Sequence, residues 1–220
     1  NLIGNRPVTP DTIAAVRAQY RLDDPFLTRY LDWLGSALRG DFGESIRLQQ
    51  PVSTVIASRL GLTVALATLS FLIAAITAIP LGILSASRAG TSTDRFASAL
   101  ALLGLSAPTF ALAILLLFLF AYLLPLFPAF GGGKSPLDTL WHLVLPAVSL
   151  AAGIGAILMR MTRAAVLREL ESDAITFARA RGLSEREVQG VALRGAAIPI
   201  VTGAGLILTF IIGGTIIVET

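Results

Sequence analysis

Residues able to do chemistry are few in this chain. Cysteine is absent, which excludes disulfides, thiolate metal sites and cysteine nucleophiles. His142 is the single histidine, too little for a histidine-built metal site or a Ser-His-Asp triad. The run Gly131-Gly132-Gly133-Lys134-Ser135 invites a phosphate-binding reading. That loop needs a glycine six positions before its lysine, where Pro128 stands, and it follows a strand, which this sequence does not suggest. The run is therefore read as a flexible turn. No other nucleotide motif occurs, so any nucleotide-driven work needs a separate chain.

The segment with the most to say is residues 164–196. It is too polar to span lipid and too rich in Ala, Arg, Glu and Leu for a loose loop. Gly182 stands where a helix C-terminus wants a residue that tolerates positive φ. Ser184 followed by Glu187 makes a capping box that opens a new helix. The spacing thus predicts helix, Gly-Leu turn, helix. On the first of these helices Ala174, Phe177, Ala178 and Arg181 share one face. A slim face with one aromatic knob and one cation suits insertion into another protein's groove. It suits equally well packing on the chain's own helices.

The elements that carry this segment are set by hydropathy. Of the 220 residues 55% are hydrophobic and 14% charged, against roughly 25% charged in soluble domains. The apolar residues gather in four runs, 62–86, 96–124, 141–159 and 197–218, each near the ~20 residues that a bilayer core requires of a helix. Pro80, Pro108, Pro146 and Pro199 fall one in each run; membrane helices tolerate proline because neighbours re-satisfy the freed backbone groups. Ala147, Ala151 and Gly155 form a small-residue stripe for close helix packing. No Asp, Glu, Lys or Arg stands inside any of the four runs, and Asp94 and Arg95 are read as loop charges before the second. The chain is thus expected to be an all-α polytopic membrane protein.

Charge sets its orientation. Connections 87–95 and 160–196 hold nine arginines, while 125–140 holds only Lys134. Arginine excess marks the cytoplasmic side, so the first two face the cytoplasm and 125–140 faces out. Residues 1–61 are then extracytoplasmic despite their seven arginines, since segments that long translocate largely regardless of charge. Asp11 is a plausible N-cap there, and an amphipathic pattern (Ile13, Val16, Tyr20, then Phe26, Tyr30, Trp33, Leu34, Leu38) gives two short helices split at Pro25. They either lie at a membrane interface or form a small packed cap. The net charge of +3 is accounted for by loop arginines and does not call for nucleic acid.

Read in order, the motifs resemble the permease subunits of bacterial ABC importers of the dipeptide/oligopeptide group. They are Gly40-Asp41-Phe42-Gly43 with Ser45, Pro51-Val52, Arg59-Leu60, Ser106-Ala107-Pro108-Thr109-Phe110, Leu145-Pro146-Ala147, Arg160 with Thr162-Arg163, Asp173, Ala178-Arg179-Ala180-Arg181-Gly182-Leu183, Pro199 and Val218-Glu219-Thr220. The resemblance implies a type I importer transmembrane domain of six helices, of which this sequence would hold the second to the fifth. It implies transport of peptides and a multi-pass place in the bacterial inner membrane. It implies a second homologous permease, two ATP-binding subunits that hold the ATP and magnesium, and an extracytoplasmic substrate-binding protein. Cofactors in this chain and enzymatic activity of its own are not implied.

The same resemblance makes Asp173, Ala174, Phe177, Ala178, Arg181, Gly182 and Leu183 the ATPase-coupling segment. The chain departs from the family at Ala174-Ile175-Thr176-Phe177, where Tyr-Val-Arg-Thr is usual, and at Val191 and Gly195, where His and Asn are usual. The other readings are an ion- or proton-driven carrier, which would need ionisable residues at mid-membrane, and an intramembrane hydrolase, for which no nucleophile-base pair is present. The orientation is testable: a tag or protease site inserted in 164–196 should be reachable only from the cytoplasm. Access only from outside would overturn it.

Overall fold

The computed structural model describes Pro10, Ile13, Ala14, Arg17 and residues 23–45 and 48–218, with side chains as far as residue 211. Asp11, Val16, Tyr20, Glu219 and Thr220 lie outside these residues. The chain divides into two compact units, Asn1–Gly61 and Leu62–Thr220.

In the first unit, helix α1 (Phe26–Leu38) starts directly after Pro25, as a proline that lacks an N–H and fixes φ allows. None of its residues is buried. Phe26 stacks on Tyr30 with ring centroids 6.3 Å apart, and Tyr30 meets Trp33 in a tilted pair at 6.2 Å. Gly40 and Gly43 take positive φ, and Asp41 accepts a hydrogen bond from the Gly43 amide at 2.9 Å. A two-residue antiparallel ladder follows, β1 (Glu44–Ser45) on β2 (Gln50–Pro51), the one departure from the all-α expectation among the described residues.

Helix α2 (Val52–Ser87) carries the first expected span. Helix α5 (Pro136–Leu170) carries the third and α7 (Glu185–Val218) the fourth. All three run through their prolines and are long and apolar enough to cross a membrane. The second expected span is not one helix. It is α3 (Ser92–Ser106) and α4 (Thr109–Leu117), the latter running into a π-helical turn at Phe118–Leu123. The two halves meet at 99°. Ala107, just before Pro108, is extended at φ −77 and ψ 122, the conformation that proline's ring favours in the residue before it. Here the proline ends a helix that the hydropathy run alone joins into one.

Small residues set the spacing around α5. A β-carbon on Gly82 would lie 2.7 Å from the Met159 carbonyl oxygen and from Thr162 Cβ. One on Gly104 would lie 2.9 Å from the Ala152 carbonyl oxygen. The expected stripe is buried at Ala147, Ala151 and Gly155, and Gly155 faces Ala74 and Ala78 of α2. In lipid, where burial gives helices no hydrophobic drive toward each other, such close backbone approach is what holds a bundle together.

Asp94 is not a loop charge. It lies in the first turn of α3 and is 5% exposed. Arg163 of α5 meets it through both oxygens, Nε donating to Oδ1 at 2.7 Å and Nη2 to Oδ2 at 2.8 Å. The Ser85 hydroxyl of α2 donates to Oδ1 at 2.5 Å, and the Gly90 amide to Oδ2 at 2.9 Å. One carboxylate thus ties α2, α3 and α5 together at their arginine-rich ends. Removing one partner of a buried ion pair costs about 3–5 kcal/mol, and less where, as at Arg163, the stranded charge is only half-buried. Asp94→Asn should therefore lower the thermal midpoint of the detergent-solubilised complex, and Asp94→Leu with Arg163→Met should recover part of the loss. An unchanged midpoint in Asp94→Asn would show that the pair holds nothing.

Candidate functional site

The polar segment 164–196 folds into three pieces, where the sequence pattern predicts one helix before the turn. Helix α5 continues to Leu170, the chain breaks at Glu171-Ser172, and α6 (Asp173–Ala180) begins there. Ser172 causes the break: its hydroxyl caps α6 by accepting from the Ile175 amide at 3.4 Å. Asp173 adds a negative charge to the first turn and Arg179 a positive one to the last, both favourable to the helix dipole.

The end of α6 follows the Schellman pattern. Gly182 has φ +81. Its amide donates to the Arg179 carbonyl at 2.9 Å, and the Leu183 amide reaches back to the Ala178 carbonyl at 3.2 Å. The expected cap on α7 is present in part, with the Ser184 amide and hydroxyl both donating to Glu187 Oε2, at 2.8 and 2.7 Å. Arg179 spans the turn to Glu185 with two bonds at 3.1 and 3.3 Å. Both ends of that pair are exposed, so it adds little. The turn is fixed by its backbone and its caps.

Four side chains form the hairpin's core: Ile175 and Ala178 of α6 against Val188 and Ala192 of α7. Full burial of an isoleucine is worth about 1.5–3 kcal/mol, and Ile175 is 1% exposed. Leu170, at the end of α5, packs on this cluster and also on the one beneath it, Ala86, Ala165, Val166, Ala196 and Ile200. The hairpin core is therefore continuous with the helix bundle. Gly195 of α7 contributes, since a β-carbon there would collide with the Glu169 carboxylate of α5.

This arrangement divides the seven residues that the sequence marks as a candidate coupling segment. Ala178 turns inward beside Ile175, a correction to the shared face read from helical spacing. Leu183 is half-buried against the same cluster. Asp173, Ala174, Phe177, Arg181 and Gly182 stay exposed. Phe177 is 65% exposed, with the Arg181 guanidinium 5.8 Å from its ring centre. Ile175 is the residue that spacing missed. It stands where the family's usual pattern has Val, and its burial becomes visible only once α7 folds back.

Two other features bear on the site. The bend between α3 and α4 opens a cavity of about 540 Å³ against α5, lined by Thr77, Ala101, Gly104, Leu112, Ala152 and Gly155 among others, with no charged side chain. On the opposite end of α5, Gly133 takes φ +77 against the Thr139 backbone. The Lys134 amide donates to Asp138, and His142 Nδ1 lies 2.7 Å from the Asp138 carbonyl. These contacts make the glycine-rich run a helix-start turn, with the Lys134 amide used internally. Among the described residues no cluster could hold a metal ion.

Residues 78–220 match the family model for the inner membrane component of binding-protein-dependent transport systems. A putative peptide transport system permease protein of Brucella abortus is 38% identical, over 99% of this chain and 71% of its own length. A putative peptide permease protein of Brucella ovis is 39% identical, over 98% and 70%. The glutathione transport system permease protein of Escherichia coli K12 is 36% identical, over 99% and 70%. This chain, with its apolar helices bundled on α5, belongs to the family of multi-pass inner-membrane components of binding-protein-dependent transport systems.

Proposed function

We propose that the chain is one permease subunit of an ATP-driven peptide importer, supplying half of the translocation pathway. Its partners are a second permease, two ATP-binding subunits and an extracytoplasmic substrate-binding protein that meets residues 1–61. The relatives' names, peptide and glutathione permeases, support the substrate class. The coupling role rests on one observation: α6 leaves Ala174, Phe177 and Arg181 exposed while Ile175 and Ala178 anchor it to α7. That helix presents a knob to a groove and is fixed to the bundle behind.

In this reading the ATPase cleft receives the Phe177 ring and the Arg181 charge. ATP binding draws the two ATPases together, and α6 moves with its own. Packed helices shift as rigid units, and Leu170 transmits the displacement into α5 and α7. Transport then requires the cleft to bind α6 more tightly in one state than in the other, because equal affinity drives nothing. The apolar cavity beside α5 offers no group to fix a peptide's charged ends, which fits selection by the separate binding protein. A carrier driven by protons finds no support in Asp94, whose two oxygens are occupied by Arg163, Ser85 and Gly90.

A β-carbon on Gly182 would meet nothing within 4 Å, so a substitution there acts through backbone conformation alone. Left-handed geometry costs most side chains about 1–2 kcal/mol, and asparagine less. In proteoliposomes Gly182→Val should keep ATP hydrolysis while transport falls by about tenfold, and Gly182→Asn should restore most of it. Full transport by Gly182→Val would remove the turn from the coupling path. Phe177→Asp should leave the chain folded, since the ring is exposed, but reduce the ATPase recovered with it. Undiminished ATPase recovery would rule this face out.

A further inference from the structure

A second cleft lies between α3 and α5, on the arginine-rich half of the bundle. It encloses about 410 Å³ and is lined by Ser98, Leu102, Arg160, Arg163 and Ala164. Arg160 directly follows the apolar run 141–159, at the boundary where hydrocarbon gives way to headgroups. The α5 helix continues ten residues beyond it, to Leu170. At 1.5 Å per residue the cleft therefore sits about 15 Å back along α5 from that end.

The cleft joins two kinds of wall. Leu102 is 60% exposed and apolar, and Ala164 is small and exposed. Facing them are two guanidiniums and the Ser98 hydroxyl. Arg163 spends Nε and Nη2 on Asp94 and Ser85, which holds its plane in place. Arg160, one turn before it, meets no acceptor among the described residues. Asp94 balances one positive charge, so the cleft keeps an excess of one. A guanidinium fixed from behind beside a second, unengaged one presents N–H donors in the pattern that phosphate oxygens accept.

We propose that this cleft binds the phosphate of an anionic phospholipid, with an acyl chain along Leu102. Basic pockets between membrane helices on the cytoplasmic side hold anionic headgroups by this chemistry. The inference rests on the proposed cytoplasmic placement of the arginine-rich half and not on ATPase coupling. The bound lipid wedges between α3 and α5 beside the Asp94–Arg163 pair, so it joins the same two helices that the pair ties.

The test is native mass spectrometry of the complex as isolated from membranes, exchanged into phosphatidylcholine micelles carrying phosphatidylglycerol. Wild type should retain phosphatidylglycerol that Arg160→Gln loses by roughly five- to tenfold. Arg160→Lys should keep most of it, and Arg168→Gln, outside the cleft, all of it. Equal retention by wild type and Arg160→Gln overturns the proposal. So does displacement of the lipid by millimolar inorganic phosphate, which would make the occupant a soluble anion. Cross-linking of Leu102→Cys to a partner permease, in this otherwise cysteine-free chain, would likewise replace lipid by protein. Retention is read on whatever complex purifies, so missing ATPase subunits would count against the coupling reading alone.

Discussion

The contact of Leu170 with two cores at once is the constraint that fixes the polar hairpin on the bundle. Leu170 ends α5 and packs on the hairpin core and on the bundle core below. Helix α6 has only eight residues, too short to be stable in water by itself. It holds its shape because Ser172 caps its start, a Schellman turn closes its end, and Ile175 and Ala178 are buried on α7. Leu170 adds a packing contact to the hairpin's two covalent ties, the Glu171-Ser172 break and the unbroken run of α7 into the bundle. With it, the packing of α6 runs without a gap into that of α5 and α7.

Around that contact the bundle is built by close approach. Gly82 and Gly104 bring α2 and α3 against α5 at distances that leave no room for larger side chains, and Gly155 packs on Ala74 and Ala78 at ordinary contact distance. Polar groups are few, and at the membrane's arginine-rich edge they are concentrated in one place. Ser85, Asp94 and Arg163 come from three helices and satisfy one another. Such a network fixes which helix ends meet, a constraint that apolar packing supplies only loosely. The break at Pro108 has the complementary effect: it turns α4 away from α3 and opens the apolar cavity between them and α5.

Much of this was legible in the residues. Hydropathy marked three of the four spans with ends that lie within the helices observed. Gly182, Ser184 and Glu187 announced the turn because each answers a local backbone demand, positive φ or an unpaired amide. The ordered series of short motifs is enough to identify the family. Composition excluded thiol and histidine chemistry outright. Local signals of this kind survive in sequence because their partners lie within a few positions.

Tertiary structure decided what depends on distant partners. Asp94 looks like a loop charge until Arg163 and Ser85 arrive from other helices to pay for its burial. The apolar run through Pro108 reads as one span because hydropathy does not register Ala107's backbone angle. Helical spacing places Ala178 with Phe177, and only the return of α7 shows that Ala178 and Ile175 point in while Phe177 points out. The sequence by itself determined the helices, their caps and the membrane as their solvent, since these follow from chemistry between near neighbours. Which faces are covered, which charge is neutralised and which side chains remain free was decided by contacts between residues far apart in the chain, whose meeting no local pattern records.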